Sequence, residues 1–171
     1  MISILESVTL DGVMQAPGRA GEDDRGGFAH GGWADGFADE VSMAFAGEGM
    51  SRPGALLFGR RTYEDLLGFW TSTPEPNPFT GVLVGARKFV VSRSVGTSLA
   101  YPNSELLAGE AVDTVAALLK EVDEDLTIMG SGELVRALHA ARLIDRYILQ
   151  VHPIVLGSGT TLFGPGDRAG L

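Results

Sequence analysis

The chain has 171 residues, 44% hydrophobic and 20% charged, a length and balance suited to one globular domain with a single substantial core. Its formal charge of −9 argues against nucleic acid or an anionic membrane as the principal partner. With no cysteine, disulfides, thiolate catalysis and cysteine-based zinc sites are excluded.

In chain order, Ile2 to Val8 reads as a short apolar strand, and Thr9-Leu10-Asp11-Gly12 as the turn that ends it. No basic region precedes this run and Glu6 interrupts it, so a secretory signal is not expected. No uncharged apolar run approaches the ~18 residues of a membrane helix, and a soluble, cytoplasmic protein is expected. Residues 15–36 are rich in Gly, Asp and Glu and lack periodicity, which predicts a lid or a disordered loop. A helix is expected from about Phe37, with Phe37, Val41, Ala44 and Phe45 on one face.

Gly54 to Gly59 is a second, buried strand that passes directly into a helix over Arg60 to Leu67. Thr62 there is a candidate cap, with Asp65 three residues on. Lys88 to Ser92 is a third strand and Ser104 to Leu107 a short fourth. Val112, Val115, Leu118, Leu119 and Val122 then recur at helical spacing. Leu126 to Gly130 and Ile144 to Val151 are the fifth and sixth strands, separated by a helix over Gly132 to Arg142. Strands alternating with helices, several of them continuously apolar, predict a single α/β domain over 1–171. Its sheet is mostly parallel and covered by helices on both faces.

Two strand-to-helix junctions carry chemistry. Gly130-Ser131-Gly132 and Gly59-Arg60-Arg61-Thr62 each open a helix, where unpaired N–H groups and the helix dipole favour an anion and glycine lets it come close. The first does not complete the G-x-G-x-x-G fingerprint, because Val135 stands where the third glycine belongs. Together, from two strand ends of one sheet, the junctions suit the two ends of an extended phosphate-bearing ligand. Arg60, Arg61 and Arg93 add planar donor forks that match phosphate; near an adenosine ribose they would select NADP over NAD. His30, His139 and His152 share no metal-ligand spacing, no metal site is expected, and each reads as structural or exposed. Candidate proton donors are the carboxylates Asp11, Asp35, Asp39 and Glu40. Trp33, Phe37, Phe69 and Trp70 would wall a pocket for a flat heterocycle.

Five ordered segments carry a resemblance. They are Val8 through Gly18, Leu57 through Tyr63, Lys88 through Arg93, Gly130 through Val135, and Leu143 through Gly159 with Leu162-Phe163. Together they resemble the dihydrofolate-reductase-like superfamily. Within it the sequence is most similar to the reductase domain at the C-terminus of the bifunctional riboflavin-biosynthesis deaminase-reductase, in stand-alone form. The resemblance implies a three-layer fold with NADPH across the strand ends. Carried over, Gly59, Arg60, Arg61 and Thr62 hold the pyrophosphate and 2′-phosphate, and Ser92 and Arg93 flank the adenosine. Gly130, Ser131, Gly132, Glu133 and Leu134 meet the pyrophosphate and nicotinamide, and Thr9, Asp11, Val13 and Met14 border the nicotinamide and substrate. Trp33 and Phe37 are the substrate-side aromatics.

The expectation is therefore an NADPH-dependent reductase transferring hydride to a C=N-type carbon of a pyrimidine or pterin. It is most like 5-amino-6-(5-phosphoribosylamino)uracil reductase, with Asp11 or Asp39 as proton donor or its orienter. A homodimer is the expected assembly. True dihydrofolate reductase and a non-catalytic NADPH-binding protein are the rivals. The resemblance implies a final strand hairpin after Leu162-Phe163, and the expectation is that the given sequence is truncated or that this edge of the sheet is missing.

Overall fold

A computed structural model describes residues 1–50, 54–74, 78–164 and 167. Its strands are β1 (Ile2–Thr9), β2 (Ala55–Gly59), β3 (Lys88–Ser92), β4 (Ser104–Ala108), β5 (Leu126–Met129) and β6 (Arg146–His152). Its α-helices are α1 (Glu40–Met50), α2 (Arg60–Ser72), α3 (Pro78–Gly85), α4 (Ala111–Glu121) and α5 (Gly132–Ala140). The described strands form one sheet in the order β4-β3-β2-β5-β1-β6. The pairs β1–β5, β2–β5, β2–β3 and β3–β4 are parallel. Asp145 N donates to Ile2 O near the start of β1 and Leu10 N to Ile154 O just past its end, so β6 runs the same way. This is the α/β architecture with a parallel central sheet that the sequence predicts. No described helix is long and apolar enough to cross a membrane.

The chain divides into two compact units, residues 1–5 with 40–148, and residues 6–39 with 149–171. In the first unit, Leu56, Phe58 and Val90 pack with Tyr63 and Leu67 of α2 and Leu83 of α3 on one face of the sheet. The alternate residues Leu57, Phe89 and Ile128 are fully buried on the other face, where α4 and α5 pack on each other and on β2, β3 and β4. No helix joins β3 to its parallel neighbour β4. Leu99 and Tyr101 of that connection pack against the α2–α3 cluster instead, and Tyr101 N donates to Tyr63 Oη at 3.0 Å.

The structure departs from the sequence reading at three points. The segment Pro78–Gly85 has no polar side to give helical periodicity, so α3 is invisible in the pattern. It is fixed by tertiary contacts. The ammonium of the fully buried Lys88 donates to the carbonyls of Leu83, Val84 and Ala86 at 2.7, 3.1 and 2.7 Å, satisfying the helix end. Second, α1 begins at Glu40 rather than Phe37, and it exposes Val41 and Phe45 (77% and 52%) instead of burying them. Third, Gly59 is the N-cap of α2, so Thr62 lies inside the helix and does not cap it.

The second unit contains the 15–36 segment, which is a bracketed loop rather than a formless one. The Gln15 amide donates to Asp23 O and Arg25 O at 3.2 and 3.0 Å and accepts from Thr160 N at 2.9 Å. Trp33 Nε1 donates to Gln15 O at 2.7 Å. Val13, Ala16, Phe28 and Trp33 are buried together beneath Ile154 and Leu156. Residues 12–14 pair with 160–162 in antiparallel fashion, through Met14 N to Thr160 O and Leu162 N to Gly12 O, both 2.9 Å. The expected absence of a closing hairpin falls on positions beyond Gly164, which lie outside the described residues except for Asp167.

Candidate functional site

In the first unit, β2 and β5 lie side by side, yet the helices that follow them go to opposite faces: α2 toward Phe58, α5 toward Leu57. This is the switch point at which open α/β sheets bind ligands, outside the carboxyl ends of the strands. Both glycine junctions are there, and they touch. Gly59 N donates to Ser131 Oγ at 3.0 Å, a bond between residues 72 apart in sequence. Gly130 has φ +63°, and a Cβ there would meet the Thr62 methyl at 2.8 Å. Ser131, the N-cap of α5, is itself left-handed at φ 65° and ψ 43°, a strain of about 1–2 kcal/mol for a non-glycine residue. Its hydroxyl serves β2 rather than its own helix, so no described side chain caps α5, and none caps α2. Two helix starts therefore converge with their first-turn dipoles uncompensated by a cap.

The three arginines surround these turns in exposed ion pairs. Arg60 binds the Glu64 carboxylate with both oxygens (3.0 and 2.8 Å), Arg61 reaches Glu133 at 3.7 Å and Arg93 reaches Glu110 at 3.2 Å. Pairs of this exposure contribute about 1 kcal/mol or less, so a phosphate can replace the carboxylate at little cost. The Arg61–Glu133 pair bridges the two junctions. Leu134 is on the buried side of α5, and Ser92 turns inward, where its hydroxyl meets Thr97 Oγ1 (2.8 Å) and accepts from Ser94 N (3.2 Å). Ser92 is thus committed to shaping the turn that carries Arg93.

In the second unit, Thr9, Val13 and Met14 are buried at the turn after β1. Thr9 Oγ1 accepts from Val13 N at 2.9 Å and donates to Asp11 at 2.6 Å. The Asp11 carboxylate also accepts from Gly157 N at 2.7 Å and Leu156 N at 3.3 Å. The Thr9 hydroxyl first, then the Gly157 amide, hold its pKa below the usual carboxylate range. Asp11 is thereby kept ionised and clamps residues 156–157, an arrangement opposite to that of a general acid. Asp35, Asp39 and Glu40 are all exposed.

Trp33 and Phe37 do come together, and what they enclose is His152. Its ring lies 5.3 Å from Trp33 and 5.5 Å from Phe37, nearly perpendicular to both (86° and 73°). Phe69 and Trp70 belong to the first unit. They stand near the far end of α2, Trp70 against Phe79 in the first unit's core. His152 is the functional candidate the sequence reading passed over. Its spacing from other histidines says nothing, and its position, closing a strand next to a proline, was the only local signal. Burial lowers its pKa and leaves the imidazole neutral at neutral pH. Among the described residues, no group of three or more His, Asp and Glu side chains is placed to hold a metal ion.

The fold and its switch-point site define an α/β domain of the dihydrofolate-reductase-like class. The model of the RibD C-terminal domain matches residues 2–169, and the chain belongs to that family, a family of reductase domains. The chain is also similar to the uncharacterized protein YyaP of Bacillus subtilis (strain 168). They are 27% identical over 164 residues, covering 92% of this chain and 77% of YyaP. A solved structure of a Shewanella sp. PV-4 protein assigned to riboflavin biosynthesis shares the fold. Its TM-score is 0.65 at 24% identity, over 98% of this chain and 85% of that one.

Proposed function

We propose that the chain is an NADPH-dependent reductase acting on a C=N-type carbon of a pyrimidine- or pterin-like substrate. The activity is most like that of the 5-amino-6-(5-phosphoribosylamino)uracil reductase of riboflavin biosynthesis, in the cytoplasm. The observation that carries the reading is the pair of uncapped helix starts joined by the Gly59–Ser131 bond and ringed by Arg60, Arg61 and Arg93. The residues fit the cofactor: two helix starts without a side-chain cap meet at the Gly59–Ser131 bond, and the arginines are held only by exposed carboxylates. Thr62 and Gly130 to Leu134 would hold the pyrophosphate through backbone N–H groups and hydroxyls, with Gly59, whose own N–H goes to Ser131 Oγ, giving it room beside them. Arg60, Arg61 and Arg93 would read the 2′-phosphate. The cofactor would supply the hydride.

By the family resemblance Thr9, Val13 and Met14 would border the nicotinamide, and Trp33 and Phe37 would offer ring surfaces to a flat heterocycle. The true dihydrofolate reductase reading is the weaker one, because the acids of the 35–40 segment are exposed and the buried titratable group beside the aromatics is a histidine. The test is NADPH oxidation with the phosphoribosylamino-pyrimidine and, in parallel, with dihydrofolate. Turnover of the pyrimidine alone is expected. Methotrexate-sensitive turnover of dihydrofolate would favour the rival, and cofactor binding with no turnover of either would favour a binding protein. A homodimer is part of the same proposal, since Val41, Met43 and Phe45 of α1 are exposed and a second copy would cover them. Light scattering that finds only monomer contradicts it.

A further inference from the structure

We propose that His152 is the polar contact for the substrate's heterocycle, its Nε2 hydrogen-bonding a ring lactam, –NH–C(=O)–, of a uracil- or pterin-type ligand. The proposal rests on the reductase reading for its substrate class. His152 is 95% buried by its 5% exposure, and its Nε2 has no hydrogen-bond partner among the described residues. An unsatisfied buried polar atom costs as much as a lost hydrogen bond, and folded proteins rarely keep one. Leucine or phenylalanine would fill the same space without that cost, so the retained imidazole calls for a partner that arrives from outside.

The surroundings say what kind. Trp33 is pinned by its bond to Gln15 O, so its ring and that of Phe37 hold the imidazole in one orientation. Neither ring supplies a hydrogen-bond partner to Nε2. Phe37 is 36% exposed, so the cluster reaches the surface at its ring, and because Nε2 is shielded a flat ligand reaches it by displacing that ring. A neutral imidazole presents Nε2 as donor or acceptor according to its tautomer. A ring lactam carries N–H and C=O side by side and satisfies either one. An aliphatic or purely cationic ligand does not.

The experiment titrates 5,6-diaminouracil and pterin into wild type, His152→Leu and His152→Gln, with NADPH binding measured by calorimetry in each. Glutamine keeps a polar group near the position of Nε2, and leucine does not. His152→Leu is expected to lose about tenfold or more in affinity for the heterocycle, and His152→Gln much less. His152→Leu should also melt at or above the wild-type temperature, and NADPH affinity should not change in either variant. In wild type labelled with 15N-histidine, the His152 Nε2 resonance should move on addition of 5,6-diaminouracil while those of His30 and His139 stay still. This second readout needs no variant to fold. Equal affinity of leucine variant and wild type, a stationary His152 resonance, or no binding of either heterocycle overturns the proposal. If the heterocycle binds with this dependence on His152 but NADPH never binds, the reductase reading fails and the heterocycle contact stands.

Discussion

Each of the two units buries a titratable side chain, and the two are treated oppositely. In the first unit, the ammonium of Lys88 sits at the end of α3 with three carbonyl partners. In the second, Glu6 of β1 is buried with Oε1 unpartnered among the described residues. Lys88 is an element of construction, because it satisfies the helix end that the chain leaves bare. Glu6 is a cost carried by the fold, as is His152 Nε2 in the same unit. The first unit is thus closed by local strand-to-helix chemistry, while the second retains unsatisfied polar atoms on its strands β1 and β6. Unmet polar groups of this kind belong where a ligand completes them.

Substitution can break the contrast, beginning with its largest effect. Lys88→Met should destabilise by about 3 kcal/mol, because three carbonyls at a buried helix end lose their donor. A denaturant midpoint equal to wild type would show that Lys88 does not close α3. Gly130→Ala should cost about 2 kcal/mol, from a left-handed backbone and from contact with the Thr62 methyl. Thr62→Ser removes that methyl, so the double variant should recover part of the loss. A double-mutant cycle with no coupling would deny that the two junctions are packed together.

The smallest effect is a gain. Burial raises the Glu6 pKa well above the ordinary range, so the folded state holds a proton that the unfolded chain has lost. Stability should therefore be undiminished below the unfolded value of ~4.3 and fall as pH rises toward the folded value. Glu6→Gln removes that slope and should raise the melting temperature at neutral pH while changing little in acid. A neutral-pH melting temperature at or below wild type would mean that Glu6 has a partner in the fold.

The sequence was legible where periodicity carries the information. Lys88 to Ser92 is bounded as the pattern predicts, and both glycine junctions lie at strand ends. They touch through Gly59 and Ser131, 72 residues apart. Legibility ended where tertiary bonds replace periodicity. The helix Pro78–Gly85 depends on Lys88, and the 15–36 loop depends on Gln15 and Trp33 reaching across it. Asp11 is legible in the sequence as a carboxylate at a strand end, but its hydrogen-bond partners are not. Only the structure supplies the three groups that keep it ionised. His152 gave no spacing signal, since its burial comes from aromatic rings more than a hundred residues earlier in the chain.

The central claim is that the joined glycine junctions at the β2–β5 switch point, with their arginines, bind the phosphates of NADPH. Calorimetric titration of NADPH and NADH into wild type, Arg60→Ala and Arg61→Ala tests it most directly. NADPH should bind wild type about tenfold or more tighter than NADH, and each substitution should weaken NADPH by about the same factor while leaving NADH nearly unchanged. No NADPH binding to wild type, or equal losses for the two nucleotides, would contradict the account.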